Sequence, residues 1–180
     1  MNDFLPKDYE VPAGDSGYMK FEIGENKFRI LASPILGYEF WNEDKEGNRK
    51  PVRFKMDAEI PVDELQDPEG GKHFWAMPVY NYKAKRVQIL EITQKGIQRT
   101  LRALAKDKDW GSPLGYNISV VREGEDLQTK YEVIPSPPRL MDKEIKEAYE
   151  KMTINLEALF DGDDPFKTEV TDKDLEEVEK

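Results

Sequence analysis

The stretch from His73 to Asp107 constrains the fold more than any other part of the chain. It runs HFWAMPVYNY, KAK, RVQILEIT and then QKGIQRTLRALAKD. Apolar and polar residues alternate in the first and third pieces, the period-two mark of strands. Ile97, Leu101 and Leu104 then recur at helical spacing. A hairpin followed at once by an amphipathic helix is expected, with Thr93 as the helix cap. A three-residue loop, Lys83 to Lys85, partitions the side chains most cleanly. It sets Tyr80, Tyr82, Arg86 and Gln88 on one face and Trp75, Met77, Val79, Val87 and Ile89 on the other. A slip of one residue flips every side chain, so the clean partition is preferred. Pro78 implies an edge or a bulge in the first strand.

Five strands with a helix between the third and fourth can be read along the chain. Lys27 to Ala32 and Gly37 to Trp41 are extended pieces interrupted at Ser33-Pro34. Arg49 to Met56 alternates, with Arg49, Arg53 and Lys55 on one side and Val52, Phe54 and Met56 on the other. Tyr116 to Arg122 and Thr129 to Ile134 follow the helix. The expectation is a mainly β domain: a five-stranded OB-fold barrel with a helix between strands 3 and 4. Residues 1–25 form an N-terminal arm, and 26–141 the barrel domain, with a loop or hairpin insertion at 42–72. A helix at 142–160 places Ile145, Tyr149, Met152, Leu156 and Leu159 on one side; it packs on its own barrel or on a second copy as a homodimer. Residues 161–180 hold nine acids and three lysines, the composition of a disordered acidic tail.

The charge is unevenly spread. The net value is −10, yet residues 72–122 carry ten Lys/Arg against three Asp/Glu, and residues 142–180 carry six against fourteen. The positive segment coincides with the aromatic strand, so a polyanion approaching there meets a local field that the total hides. Basic grooves with aromatic rings hold single-stranded nucleic acid, because every base has a π-face to stack. Tyr80, Tyr82, Arg86 and Gln88 supply that pairing. Lys83, Lys85, Arg53 and Lys55 are candidate phosphate contacts. Trp41 and Phe74 are further candidate stacking residues. Arg99 and Arg102, on the helix, read as a solvated face.

Other chemistry is scarce. Cysteine is absent, which removes disulfides, thiolate nucleophiles and Cys-based zinc sites. His73 is the single histidine, with no nucleophile motif around it. Asp161-Gly162-Asp163-Asp164 lacks the ligand alternation of a calcium loop. No phosphate-cradling glycine motif is present. The expectation is a non-enzymatic protein without metal or cofactor. No apolar run approaches a bilayer span and the N-terminus lacks a signal-peptide order, so a cytoplasmic protein with no membrane partner is expected. The net charge also admits a different class, an acidic interaction module or DNA mimic that binds no DNA itself.

Several pieces carry a resemblance: GENKFRIL (Gly24 to Leu31), SPILGYEFW (Ser33 to Trp41), HFWAMPVYNYKAKRVQILEITQKGIQ (His73 to Gln98), DWGSPLGYNISVVREGEDLQTKYEV (Asp109 to Val133) and NLEALFDGDDPF (Asn155 to Phe166). With these the chain resembles the OB-fold single-stranded DNA-binding proteins of bacteriophages. The resemblance implies a protein that coats single-stranded DNA during phage DNA replication, recombination or repair in the host cytoplasm. It implies DNA contacts at Tyr80, Tyr82, Lys83, Lys85 and Arg86. It also implies an acidic C-terminus, here Asp172, Asp174, Glu176, Glu177 and Glu179, that competes with DNA for the basic groove. Such a tail recruits replication partners: a polymerase, helicase or recombinase. This chain departs from the usual pattern by ending in LEEVEK, with Phe166 as its nearest aromatic residue.

Overall fold

The structure, a computed structural model, describes Phe4 and residues 17–166. It is mainly β. The strands are β1 (Tyr18–Met19), β2 (Gly24–Ile30), β3 (Ile35–Glu43), β4 (Arg49–Lys55), β5 (Lys72–Asn81), β6 (Arg86–Ile92), β7 (Asn117–Glu123) and β8 (Lys130–Pro135). Two α-helices accompany them, α1 (Lys95–Lys106) and α2 (Lys143–Glu150). No helix among the described residues is long and apolar enough to cross a membrane.

The longest strand, β5, is the rail on which the others are laid. One of its edges pairs with β6 from Trp75 to Asn81. The other edge is shared, with β3 on its first half (Ile35↔Ala76) and β2 on its second (Ile30↔Val79). So β2 and β3 are one long strand with a kink at Leu31 to Pro34, where Leu31 N–H still donates to Pro78 O at 2.9 Å. β4 extends β3 as an outer hairpin arm, from Gly37↔Lys55 to Glu43↔Arg49. β7 pairs with β2, and β8 with β7.

The expected barrel is met in part. The helix lies where the sequence placed it, but the sheet has eight strands and its path, β1-β6-β5-β2-β7-β8, does not close. β1, from the expected arm, runs parallel to β6. Residues 18–21 fill the space before β8 with side chains: the Phe21 ring lies 5.9 Å from Tyr131, and Arg122 Nη1 donates to Phe21 O at 3.0 Å.

The hairpin register differs from the expected one. Asn81 pairs with Arg86, so four residues, not three, form the loop. Asn81 explains it. Its Oδ1 accepts from Lys83 N–H at 3.1 Å, and its carbonyl accepts from Lys85 N–H at 2.8 Å. Lys85 takes φ 55°, a left-handed value without glycine. Tyr80 therefore faces Val87, and Val79 faces Gln88.

Both sheet faces are packed. The inner face buries Phe28, Ile30, Met77, Val79, Leu90, Ile92, Ile118 and Val120, plugged by Ile97 and Leu101 of α1. The outer face buries Phe74, Ala76 and Ile89 under Leu159, with Ile154, Leu156, Phe160 and Phe166 around them. The long C-terminal helix is not continuous. α2 ends at Glu150, and residues Leu156–Asp161 form a separate 3-10 turn. Thr153-Ile154-Asn155, two β-branched residues and an Asn, are poor helix formers. The fold also continues past residue 160: Pro165 is buried, and the Phe166 ring meets Tyr18 edge-on at 6.0 Å. Asp172, Asp174, Glu176, Glu177 and Glu179 lie outside the described residues.

Candidate nucleic-acid interface

A cleft of about 950 Å³ opens on the outer face, between the β3–β4 hairpin, β1 and the turn that follows Leu159. Strand alternation decides what lines it. Odd residues of β3 and of β4 share this face, so Trp41, Arg49 and Arg53 project together. Trp41 is 38% exposed, and the Arg49 guanidinium carbon sits 5.4 Å from its ring centroid. Lys20 and Lys50 add two more cations to the walls, and Asp163 and Asp164 face them from the C-terminal turn.

The floor is an ionic triad. Arg53 Nε donates to Glu39 Oε2 at 3.1 Å, and its Nη2 to Glu91 Oε2 at 3.0 Å. One guanidinium thus serves two carboxyls, that of Glu39 buried and that of Glu91 half-buried. Burial first, then the hydrogen bond and charge of Glu39, push the Glu91 carboxyl up to about 8, while Arg53 acts in the opposite direction. The geometry agrees. Glu91 Oε1 is buried without a partner among the described residues. A proton there turns it into a donor toward Glu39. Arg53 is committed to this triad and is not a free phosphate ligand. Lys55 is half committed, 3.5 Å from Glu157 and 5.7 Å from the Phe160 ring.

The remaining expected residues scatter. Tyr80 and Tyr82 lie edge-to-face at 5.3 Å and are half-buried. Tyr82 Oη donates to Asn117 Oδ1 at 2.8 Å, and Lys27 Nζ stands 4.7 Å over its ring. Lys83 pairs with Glu22. Lys85 and Arg86 are exposed at the hairpin tip, without an ion pair among the described residues. Two residues do not face solvent at all. Phe74 is fully buried under the C-terminal segment, its ring 6.0 Å from Phe160. Gly37 makes room for that stack, since a Cβ there would lie 2.9 Å from Phe74 and 3.0 Å from Phe160. Gln88 is buried and accepts from Asn81 Nδ2 at 2.9 Å. It lies on the opposite sheet face from Tyr80, because of the register.

The cleft therefore gathers Trp41 and Arg53 from the expected set and leaves the tyrosines elsewhere. It adds Tyr18, Lys20, Arg49 and Lys50. Arg49 was legible in the basic parity of Arg49 to Met56; Tyr18 and Lys20 carried no signal, because a two-residue strand leaves no periodicity. Among the described residues no group of three or more His, Asp or Glu is placed to hold a metal ion.

No family model matches this chain, and no solved structure matches it. Among curated proteins it is similar to one from Escherichia phage T5 named a probable ssDNA-binding protein. The two are 24% identical over 138 residues, covering 64% of this chain and 53% of that protein. The chain thus spans about half the length of the relative it matches.

Proposed function

We propose that this chain binds single-stranded DNA without sequence preference and lays the strand in the outer cleft. Trp41 stacks a base, while Arg49, Lys50 and Lys20 hold phosphates. The observation that carries the reading is this juxtaposition: an exposed tryptophan among cations, in a protein whose net charge is −10. The name of the phage relative supports the same ligand. The connectivity is compatible with it. Taking β2 and β3 as one strand, the order β2/β3, β5, β6, α1, β7, β8 is that of an OB-fold, unzipped between β6 and β8, with β3–β4 as an inserted hairpin. In this reading the protein is a non-enzymatic coat for phage DNA during replication, recombination or repair, working in the host cytoplasm. Its acidic terminus, Asp172 to Glu179, tunes DNA binding and recruits replication proteins.

Titration with oligothymidylate, followed by tryptophan fluorescence, tests this. Quenching is expected, with affinity that falls as salt rises. Trp41→Ala should weaken binding by about 1–3 kcal/mol, the value of one stacked base. A wild-type protein that binds no strand at low salt would sink the proposal and favour the DNA-mimic reading.

A further inference from the structure

Behind the cleft, on the opposite face of β3, a second surface combines rings and cations. Tyr38 and Leu36 share this face with His73 and Trp75 of β5, paired as Tyr38↔His73 and Leu36↔Trp75. The rings are fixed. Trp75 Nε1 can only donate, and it donates to His73 Nε2 at 3.1 Å. His73 Nδ1 then carries the proton and donates to Gly37 O at 2.8 Å. The Tyr38 ring lies 5.6 Å from the imidazole. Helix α1 is locked alongside, because Gln98 Nε2 donates to both His73 O and Ile92 O, at 3.1 and 2.9 Å.

That docking turns Lys95, Arg99 and Arg102, spaced i, i+4, i+7, toward the rings. A hollow of about 330 Å³ lies between them. A second, of about 340 Å³, adjoins it through Trp75 and Arg102, with Leu36 and Leu114 on its apolar walls. No Asp or Glu lines either hollow, in a chain with 37 of them. None of the three cations has an ion pair among the described residues. The first turn of α1 also has no acidic residue, and Lys95 stands at its positive end. Like charges at these spacings work against the helix. Helix stability therefore does not account for the row.

We propose that this face is a second contact surface for single-stranded DNA, so that one strand wraps around the β3–β4 hairpin. Trp41 engages it in the outer cleft, and Trp75 with Lys95, Arg99 and Arg102 engages it on the other side. The alternation of β3 puts Tyr38 and Trp41 on opposite faces. Among the described residues β4 pairs only with β3, so its outer edge carries no further strand and leaves a path around the hairpin tip. The inference rests on the single-stranded DNA reading of the cleft.

The test uses the full chain and three proteins: wild type, Arg49→Glu, and the double variant Arg99→Glu/Arg102→Glu, whose fold is checked by circular dichroism. Each is titrated with a short oligothymidylate that fills one surface and a long one that spans both. The double variant should bind the long strand roughly tenfold more weakly at about 0.1 M salt, with the salt slope reduced by about 1.4 for two lost phosphate contacts. It should occlude fewer nucleotides and bind the short strand as wild type does. Arg49→Glu should weaken both. Wild-type affinity, salt slope and occluded length in the double variant, beside a loss in Arg49→Glu, would overturn the wrapping path and leave the cleft standing. Equal loss on both lengths would put the strand on α1 alone and also overturn it. So would unchanged DNA binding with lost capture of a peptide copying residues 167–180, which would assign the row to a protein segment. A wild type that binds neither length removes both readings.

Discussion

One proton on Glu91 is the most condition-dependent feature at the residue scale. The carboxyl is pushed up to about 8 in the fold, from an ordinary value of 4.5. The neutral form is thus the one the folded state favours. Its contribution is fully present below about pH 4.5 and is lost as pH climbs through about 8. Thermal unfolding followed from about pH 5 to about pH 9 should show the melting temperature falling across this range, and Glu91→Gln should flatten the fall. Because Glu91 lines the cleft, its ionisation also adds a negative charge there. Wild-type DNA affinity should therefore drop above about pH 8, with Glu91→Gln spared. An unchanged slope in the variant would place the titration elsewhere. Residue identities were legible here, but their facing was not. Gln88 reads as a surface residue because a three-residue loop gives the tidier side-chain parity, and Phe74 shares the Tyr80 face as its parity implies but is covered by the C-terminal segment. A single Asn81 side chain, bonded inside the turn, chose the other register.

At the scale of elements, the C-terminal segment is the largest departure from the sequence pattern. Apolar residues at spacings of 4, 3, 4 and 3 from Ile145 to Leu159 imply one helix. The chain instead breaks at Thr153 to Asn155, and Ile145 and Leu159 bury themselves from separate turns. The pattern recorded burial faithfully without recording that two elements share it. Leu159 seals the outer face over Phe74, Ala76 and Ile89. Leu159→Ala should cost about 2–5 kcal/mol, seen as a lower urea midpoint. A loss below about 0.5 kcal/mol, the range of ordinary surface changes, would mean that this segment is not part of the cooperative fold. By contrast, β5, β6 and α1 were legible from periodicity alone, since each is long enough to show its repeat.

For the molecule as a whole, charge segregation was plain in the sequence and the open ends of the sheet were not. The acid-rich end and the basic middle are separate runs, so composition by segment reveals them. The sheet ends on β1, two residues long, inside a stretch that reads as an arm. The segregation carries its own prediction. Removing residues 167–180 takes away six acids and three lysines. The truncated protein should bind oligothymidylate more tightly than the full chain, with the gap widest at low salt and closing as salt screens it. Equal affinities across the salt series would remove electrostatic competition from the account.

The gap between β1 and β8, the two ends of the sheet path, has a mechanical consequence. Neighbours along the sheet path are joined by ladders of backbone hydrogen bonds, whereas the contacts near this gap include the Phe21–Tyr131 ring pair and the Arg122 bond to Phe21 O. A ladder fixes distance to a fraction of an ångström, whereas ring contacts slide. The sheet is therefore open along one line, between its two end strands. If a strand wraps the protein as proposed, the strain it imposes is expected there, as a change in the spacing of the two ends, while β5 and its neighbours keep their register.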